Sequence, residues 1–193
     1  MSIYCRYSYY TDVGIFQDTM NELQVLKLHE HPQYLQQCCQ LVNEEWPRSE
    51  TARMMSLTAS CDTLPTSLIL ITNNNVIGHT KLTALPAMPN SCFIETVVIS
   101  KSVRGKKLGT FLMKEVEKYC KNILNLEMVH LSTKGQEEFY AKLGYALCAP
   151  VSIYGCSIIR ENVLETKSVA DNKFMKFSAS MVKCLYFKNI STT

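Results

Sequence analysis

The 193-residue sequence lacks the signals of several specialised classes of protein. No apolar run has the length that a membrane span requires, and the first residues, MSIYCRYSYYTDVG, lack the long apolar core of a signal peptide. The net charge of +3 is too small to indicate nucleic-acid binding by itself. These absences favour a soluble protein that binds neither a membrane nor a nucleic acid and that resides in the cytoplasm.

The nine cysteines form no C-x-x-C pair, and their number is odd. We therefore expect reduced and mostly buried thiols rather than disulfides, as in cytosolic or nuclear proteins. His29 and His31 lack the H-E-x-x-H spacing of a zinc site, so the sequence predicts no metal.

The apolar patterns predict one α/β domain that spans residues 1–193. Patterns of period two and period 3.6 follow the order β-α-α-β-β-β-α-β-α-β-β, which predicts a mixed central sheet with helices on both faces. Ser49 is placed to cap the second helix, and Asn73–Asn75 predicts the tight turn of a β-hairpin. Residues 1–20 carry no assignment, and residues 151–180 predict a loop before the last strand.

One stretch joins a β-branched strand, CFIETVVIS, to an amphipathic helix through a basic turn, SKSVRGKKLG. Such a junction presents unpaired backbone N–H groups and the positive end of a helix dipole, and glycine lets the main chain approach a ligand closely. Neither G-x-x-x-x-G-K-[ST] nor G-x-G-x-x-G occurs. The residues alone therefore leave two interpretations open: a phosphate site, or a turn that binds nothing.

This stretch resembles the acetyl-CoA-binding core of the GCN5-related N-acetyltransferases, the GNAT family. Arg104, Leu108 and Gly109 fall into the frame of the family signature [QR]-x-x-G-x-[GA], whereas Lys107 stands where the first glycine is usual. Lys107 keeps its backbone N–H, but its Cβ narrows the approach of a ligand. The resemblance implies the GNAT fold, with acetyl-CoA as the co-substrate.

The resemblance also implies where acetyl-CoA binds. The amides of the turn would hold the diphosphate, and the strand before it would splay from its neighbour and pair with the pantetheine arm like an added strand. The implied coenzyme contacts are Val97, Val98, Ile99, Arg104, Gly105, Lys106, Lys107, Leu108, Gly109, Thr110, Thr133 and Gln136.

Tyr140, in the segment EEFYAKLGY, is the candidate general acid. In many GNAT enzymes the tyrosine of such a segment protonates the thiolate that leaves. A phenol with a pKa of about 10 is a plausible acid toward a thiolate whose conjugate acid has a pKa of about 8.5. Without the resemblance, Tyr140 is better interpreted as an aromatic side chain packed under the last strands.

A closer likeness lies upstream. The segment HPQYLQQCCQLVNEEWPRSETARMMSL is similar to the first two helices of the NatH-type actin N-terminal acetyltransferases, above all in WPRS followed by Arg53 and then SL. VIGHTKL, ETVV, VHLSTKGQEEFYAKLGY and VKCLYFK continue the likeness. It implies that the partner and substrate is processed actin, whose N-terminus is a run of Asp or Glu, and it raises profilin as a second partner.

An acidic peptide needs cations and hydrogen-bond donors around it, because its carboxylates repel one another. Arg48 and Arg53 bracket the break between the first two helices, and Lys81 on the hairpin is expected on the same side of the sheet. Trp46 would form a wall of the groove. The alternatives are solvated surface charges and, for Trp46, an anchor in the core.

Glu95 and His79 are the candidate acceptors for the amine proton, and transfer of the proton to water is the alternative. An α-amino group has a pKa of about 7.7–8.0, so on the order of a tenth is already neutral near pH 7 and a strong base is unnecessary. Two other functions stay open: acetylation of a different amine (lysine, polyamine or another N-terminus), and a scaffold on actin that binds acetyl-CoA without catalysis.

Overall fold

A computed structural model describes residues 23–154 and 178–185 of the chain. The unassigned segment 1–20, most of the expected loop 151–180, and the end of the last predicted strand lie outside the described residues. Within them the strands are β1 (Gln24–Lys27), β2 (Thr66–Thr72), β3 (Asn75–Ala84), β4 (Ser91–Ile99), β5 (Met128–Thr133), β6 (Ala146–Leu147) and β7 (Ala179–Cys184). The α-helices are α1 (Leu35–Glu45), α2 (Glu50–Thr58), α3 (Leu108–Asn122) and α4 (Glu137–Lys142).

The seven strands form one sheet in the order β1-β2-β3-β4-β5-β7-β6. Only the β4–β5 pair is parallel among the described strands, so the sheet is mixed, as the element order predicted. The parallel pair is connected by α3, which agrees with the long crossover that parallel strands require. Strand β7 inserts between β5 and β6, a detail that the element order did not predict.

The sheet buries a hydrophobic layer on each face, which confirms the prediction of helices on both sides. On one face Ile69 and Val98 pack with residues of α1, and on the other Leu68 and Leu82 pack with residues of α3. Neighbouring positions of one strand point to opposite faces, so a continuous apolar run such as SLILI serves both layers. Burial of each of these leucines contributes about 1.5–3 kcal/mol to the free energy of unfolding.

Two local predictions are confirmed at turns. The Ser49 Oγ accepts a hydrogen bond from the Ala52 N–H at 3.4 Å, which caps α2 as expected. Asn73 and Asn74 have φ angles of 49° and 58°, so the hairpin between β2 and β3 uses the left-handed region that asparagine tolerates.

The cysteines that the structure describes are all free thiols. Cys38 lies on the buried face of α1, and burial raises the pKa of its thiol to about 12, which makes it an inert core residue at neutral pH. Among the described helices, none has both the length and the apolar character needed to cross a bilayer.

Strand β4 separates from β5 halfway along its length. The two strands pair from Ser91 to Ile94, but β4 continues to Ile99 while paired only with β3. A β-bulge after Lys81 sets two residues of β4, Glu95 and Thr96, against one position of β3. The result is a cleft between β4 and β5, which is the splay that the family resemblance implied.

Candidate active site

The turn after β4 ends at an uncapped helix N-terminus. A short 3-10 turn, Lys101–Val103, is followed by Gly105 with φ +82° and by Lys107 at the N-cap of α3 with φ 59°. No side chain among the described residues caps α3, and its first turn contains no acidic residue. The first N–H groups of the helix are therefore free to bind an anion, which the helix dipole favours.

The Arg104 side chain faces α1 rather than the open end of this turn. Its Nε donates to the Ile99 carbonyl at 2.9 Å, and its Nη2 lies 2.7 Å from Glu45 Oε2. The Arg104 guanidinium holds the pKa of the Glu45 carboxyl below its usual range. The Arg104 side chain therefore fixes the turn, and only the backbone of Arg104 is left for the contact with the coenzyme that the sequence predicted.

Helix α4 lies beside the start of α3. A Cβ built on Gly109 would lie 3.5 Å from the Phe139 ring and 3.9 Å from Ile99 Cγ1, so these three residues meet where β4 ends and α3 begins. Thr133, the last residue of β5, is 9% exposed, and Gln136 is the N-cap residue of α4. Both lie beyond the last β4–β5 pair and thus on the far edge of the cleft.

Tyr140 lies in α4, next to Phe139. Its ring packs edge-on against Phe139 at 5.0 Å and against Tyr145 at 5.7 Å between ring centroids. Only 9% of Tyr140 is exposed, and burial raises the pKa of its hydroxyl to about 12. The hydroxyl therefore keeps its proton at neutral pH, which is the state that the predicted role of a general acid requires.

The turn between α1 and α2 is held by hydrogen bonds from α2. Arg53 Nη2 donates to the Trp46 carbonyl at 2.7 Å, and Arg53 Nε donates to Asn43 Oδ1 at 3.0 Å. Asn43 Nδ2 in turn donates to the Arg48 carbonyl at 3.1 Å. Two of the N–H groups of Arg53 thus bind the turn. The exposed Arg48 guanidinium, in contrast, has no partner among the described residues.

A cluster of polar side chains lies at the β-bulge between β3 and β4. Lys81 Nζ donates to Ser56 Oγ at 2.9 Å and lies 3.3 Å from Glu95 Oε2. Thr83 Oγ1 donates to the other carboxylate oxygen of Glu95. Glu95 keeps 28% of its side chain exposed, so it remains accessible beside the cleft.

His79 is buried on the α1 face of the sheet, opposite Ile69 and Val98. Neither ring nitrogen has a hydrogen-bond partner in the structure. Burial, followed by the charges of Lys81 and Arg53, lowers the pKa of His79 to about 3. An imidazole with so low a pKa is a weak base, so the structure favours Glu95 over His79 as the acceptor for a proton.

A group of side chains with metal-ligand atoms lies away from this cleft. His29, Glu30 and Asp62 bring such atoms within 4.8 Å of one another. The Lys27 ammonium lies 2.5 Å from Glu30 and 2.6 Å from Asp62, and it already supplies the positive charge that those carboxylates need. We therefore interpret the group as an ion-pair cluster.

The sequence profile of the acetyltransferase (GNAT) family matches residues 35–145, which is more than half of the chain. The chain belongs to the GNAT family. Mouse N-alpha-acetyltransferase 80 (Mus musculus) is 35% identical over 127 residues, which cover 62% of this chain and 40% of that protein. The chain therefore spans less than half of the length of this relative.

Solved GNAT-like structures share the fold. An aminoglycoside 6′-N-acetyltransferase complexed with coenzyme A is 15% identical, with a TM-score of 0.63 over 86% of this chain and 98% of that chain. A spermidine N-acetyltransferase SpeG chimera from Vibrio cholerae and hSSAT is 16% identical, with a TM-score of 0.62 over 84% and 95% of the two chains. At this identity the likeness concerns the fold alone.

The backbone conformation of Lys107 explains why the GNAT signature usually has a glycine at this position. Its φ of 59° is the left-handed conformation that glycine adopts freely and that costs other residues roughly 1–2 kcal/mol. The usual glycine of the signature thus marks a backbone requirement, and this chain meets it with a lysine.

We expect Lys107→Gly to leave the protein as stable or to stabilise it by up to about 1 kcal/mol, because the substitution relieves a left-handed side chain. Urea unfolding followed by circular dichroism measures this. Lys106→Gly is the matched control, since it removes the same charge at a residue that is not in the left-handed region, and it should destabilise. Equal effects of both substitutions would contradict the role assigned to φ.

Two residues of the site were missed in the sequence. Asn43 and Glu45 occupy the last turn of α1; Asn43 holds the α1–α2 turn, and Glu45 holds the turn before α3 through Arg104. Polar residues at a helix end are common, so their types gave no signal. Only their position, directly before the helix break at Trp46–Pro47, marked the place.

Proposed function

We propose that this chain is an N-alpha-acetyltransferase that transfers the acetyl group of acetyl-CoA to the acidic N-terminus of processed actin. The observation that carries the proposal is the free edge of β4, which runs from the accessible Glu95 to the uncapped N-terminus of α3. A donor can lie along this edge with its phosphates at α3, and an amine can approach at Glu95. The similarity to N-alpha-acetyltransferase 80 supports the choice of an N-terminal amine.

The residues of the cleft fit acetyl-CoA. The free N–H groups of Leu108, Gly109 and Thr110 would hold the diphosphate, with Lys106 and Lys107 adding positive charge. The backbone of Val97–Ile99 has no strand partner on its β5 side and would pair with the pantetheine amides. Acetyl-CoA supplies the activated acyl group when bound.

In direct transfer the neutral amine attacks the thioester carbonyl, the C–N bond of the amide forms, and the C–S bond breaks to release the thiolate of coenzyme A. Three groups of the chain assist this step. Glu95 attracts the substrate ammonium and takes up its proton, directly or through water. A main-chain N–H of Val97 or Val98 stabilises the oxygen that gains negative charge at the thioester carbonyl. Tyr140 then donates a proton to the sulfur; the burial that raises the pKa of Tyr140 also raises the pKa of a thiol in the same cleft, which favours this transfer.

The charges around the α1–α2 turn suit an acidic acceptor. Arg48 is exposed and unpaired among the described residues, so its guanidinium is available to a carboxylate. Arg53 retains donors beyond the two that hold the turn. Lys81 is already neutralised by Glu95 and contributes less. Trp46, 46% exposed, forms the adjoining wall. Actin as the partner, with profilin presenting it in the cytoplasm, belongs to this proposal.

The proposal predicts a strong preference among three peptides offered with acetyl-CoA and read by mass spectrometry. One begins Asp-Asp-Asp, one begins with neutral residues, and one has a blocked N-terminus and an internal lysine. We expect the first to be acetylated at least tenfold faster, because several carboxylates gain charge-assisted hydrogen bonds in the groove. Equal use of all three would favour an acetyltransferase for another amine. Binding of acetyl-CoA without transfer to any peptide or to actin would favour the scaffold.

The same assay tests the arginine through Arg48→Ala. We expect KM for the acidic peptide to rise about tenfold, the value of one charge-assisted hydrogen bond, while KM for acetyl-CoA stays unchanged. Lys114→Ala, which removes an exposed cation from α3, is the control and should leave both constants unchanged. An unaltered peptide KM in Arg48→Ala would remove this residue from the groove.

A further inference from the structure

The last turn of α1 contacts the coenzyme turn. Glu45 Oε2 lies 2.7 Å from Arg104 Nη2, and the Glu44 carbonyl accepts a hydrogen bond from Lys101 Nζ at 3.4 Å. Arg104 also donates to the Ile99 carbonyl, the last residue of the free β4 edge. One ion pair, between residues 59 positions apart, therefore joins α1 to the start of the diphosphate site.

The same helical turn contacts the acceptor side. Asn43 donates to the Arg48 carbonyl and accepts from Arg53, and Arg53 also donates to the carbonyl of Trp46. Trp46 directly follows Glu45 in the chain. Contacts to the two halves of the site thus meet within four consecutive residues of one helix end.

We propose that the last turn of α1 couples occupancy of the coenzyme site to the position of the α1–α2 turn, with Glu45 as the positioning residue. The inference rests on the proposed coenzyme site but is independent of which amine is acetylated. A diphosphate at the N-terminus of α3 would add negative charge to the turn that Arg104 holds, and the Arg104 guanidinium, 46% exposed, already pairs with Glu45. Two anions then share one cation, so the Glu45–Arg104 pair changes its geometry, and the change passes directly to Trp46.

The expected size of the coupling follows from the exposure of the pair. The side chains of Arg104 and Glu45 are 46% and 30% exposed, so solvent screens their interaction. A pair of this kind corresponds to an effect of about two- to fivefold on an equilibrium constant. Because coupling between two binding sites is reciprocal, an acceptor bound at the α1–α2 turn should alter coenzyme affinity by the same factor.

Trp46 is the one tryptophan of the chain, so its fluorescence reports directly on the α1–α2 turn. The experiment titrates the full chain with coenzyme A, excites at a wavelength selective for tryptophan, and measures binding in parallel by calorimetry. In the unmodified protein we expect a saturable change in emission. In Glu45→Gln, compared at saturation, we expect at most half of that change, with coenzyme A still bound.

Glu44→Gln is the matched control, because it removes the same charge one residue away, where the exposed side chain has no partner among the described residues. It should preserve the full emission change. Arg104→Gln should reproduce the loss seen in Glu45→Gln, and the double variant should lose no more than either single variant. Calorimetric binding without an emission change in the unmodified protein, or with equal changes in Glu45→Gln, would overturn the inference. No binding at all would refute the coenzyme site and the coupling together, whereas failure of the acidic peptide alone would leave the coupling intact.

Discussion

Tyr140→Phe is expected to lower kcat by about 100- to 1,000-fold, with little change in KM for acetyl-CoA. The substitution removes only the hydroxyl, and the ring keeps its contacts with Phe139 and Tyr145. The decrease in kcat therefore measures how much proton donation to the leaving thiolate contributes to the rate. Steady-state kinetics at saturating peptide give kcat, and calorimetry with coenzyme A gives the binding constant.

Tyr145→Phe is the matched control for this prediction. Tyr145 is a buried neighbour whose hydroxyl has no hydrogen-bond partner, and burial raises the pKa of that hydroxyl as well. Removing it should leave both kcat and stability close to those of the unmodified protein. If Tyr145→Phe loses as much activity as Tyr140→Phe, packing rather than proton donation explains both.

The pH dependence separates the acid from the amine. Since burial raises the pKa of Tyr140 to about 12, the hydroxyl stays protonated as the pH rises from 6 to 10, and its ionisation does not limit the rate there. The rate should instead rise through the pKa of the amine, about 7.7–8.0, and then level off. Tyr140→Phe should keep this profile at a lower rate.

Lys183→Met is expected to destabilise the fold by about 3 kcal/mol. Lys183 Nζ lies 2.6 Å from Glu117 Oε2 and 2.6 Å from the Leu143 carbonyl, and it stands 5.6 Å from the centre of the Tyr145 ring. The side chains of Lys183 and Glu117 are only 20% and 13% exposed. Removal of the lysine leaves a mostly buried carboxylate without its cation, and the corresponding loss in Tm is roughly 6–12 °C.

The controls distinguish the broken pair from the loss of a lysine. Lys142→Met changes an exposed lysine of α4 and should shift Tm by no more than about 2 °C. Replacement of both partners, Lys183→Met with Glu117→Leu, should recover most of the lost stability, because no unpaired charge then remains. Thermal unfolding by circular dichroism compares all variants, and a double variant no more stable than Lys183→Met would contradict this explanation.

Local features of the fold were predictable from the sequence, because each depends on neighbouring residues. Alternating and helical patterns identified the strands and helices, Ser49 marked the start of α2, and Asn73–Asn75 marked the hairpin. The insertion of β7 between β5 and β6 was not predictable in this way. It depends on pairs such as His130 with Val182, which are distant in the chain.

The site residues show the same division. The turn before α3 was predictable from its glycines and from its match to the family signature. The direction of the Arg104 side chain instead depends on Glu45, and the hydrogen bonds of Arg53 depend on Asn43. The burial of His79 depends on how α1 packs over the sheet, which a strand pattern does not specify. Residue type identified the candidate site residues. Only contacts between distant parts of the chain distinguish the accessible side chains from those that are buried or already bound to other residues.

The splay of β4 also bears on aggregation. An unpaired strand edge is a template on which another protein chain can add a strand, and proteins usually cover or distort such edges. Here the free edge runs from Glu95 to Ile99. The cleft beside it begins at the last β4–β5 pair, Ile94 with Leu131, where the two strands are still hydrogen-bonded to each other. A strand inserted between β4 and β5 needs about 4.8 Å on each of its two sides, so the cleft excludes it next to the Ile94–Leu131 pair. The taper of the proposed coenzyme cleft thus also protects the sheet from association with a second sheet.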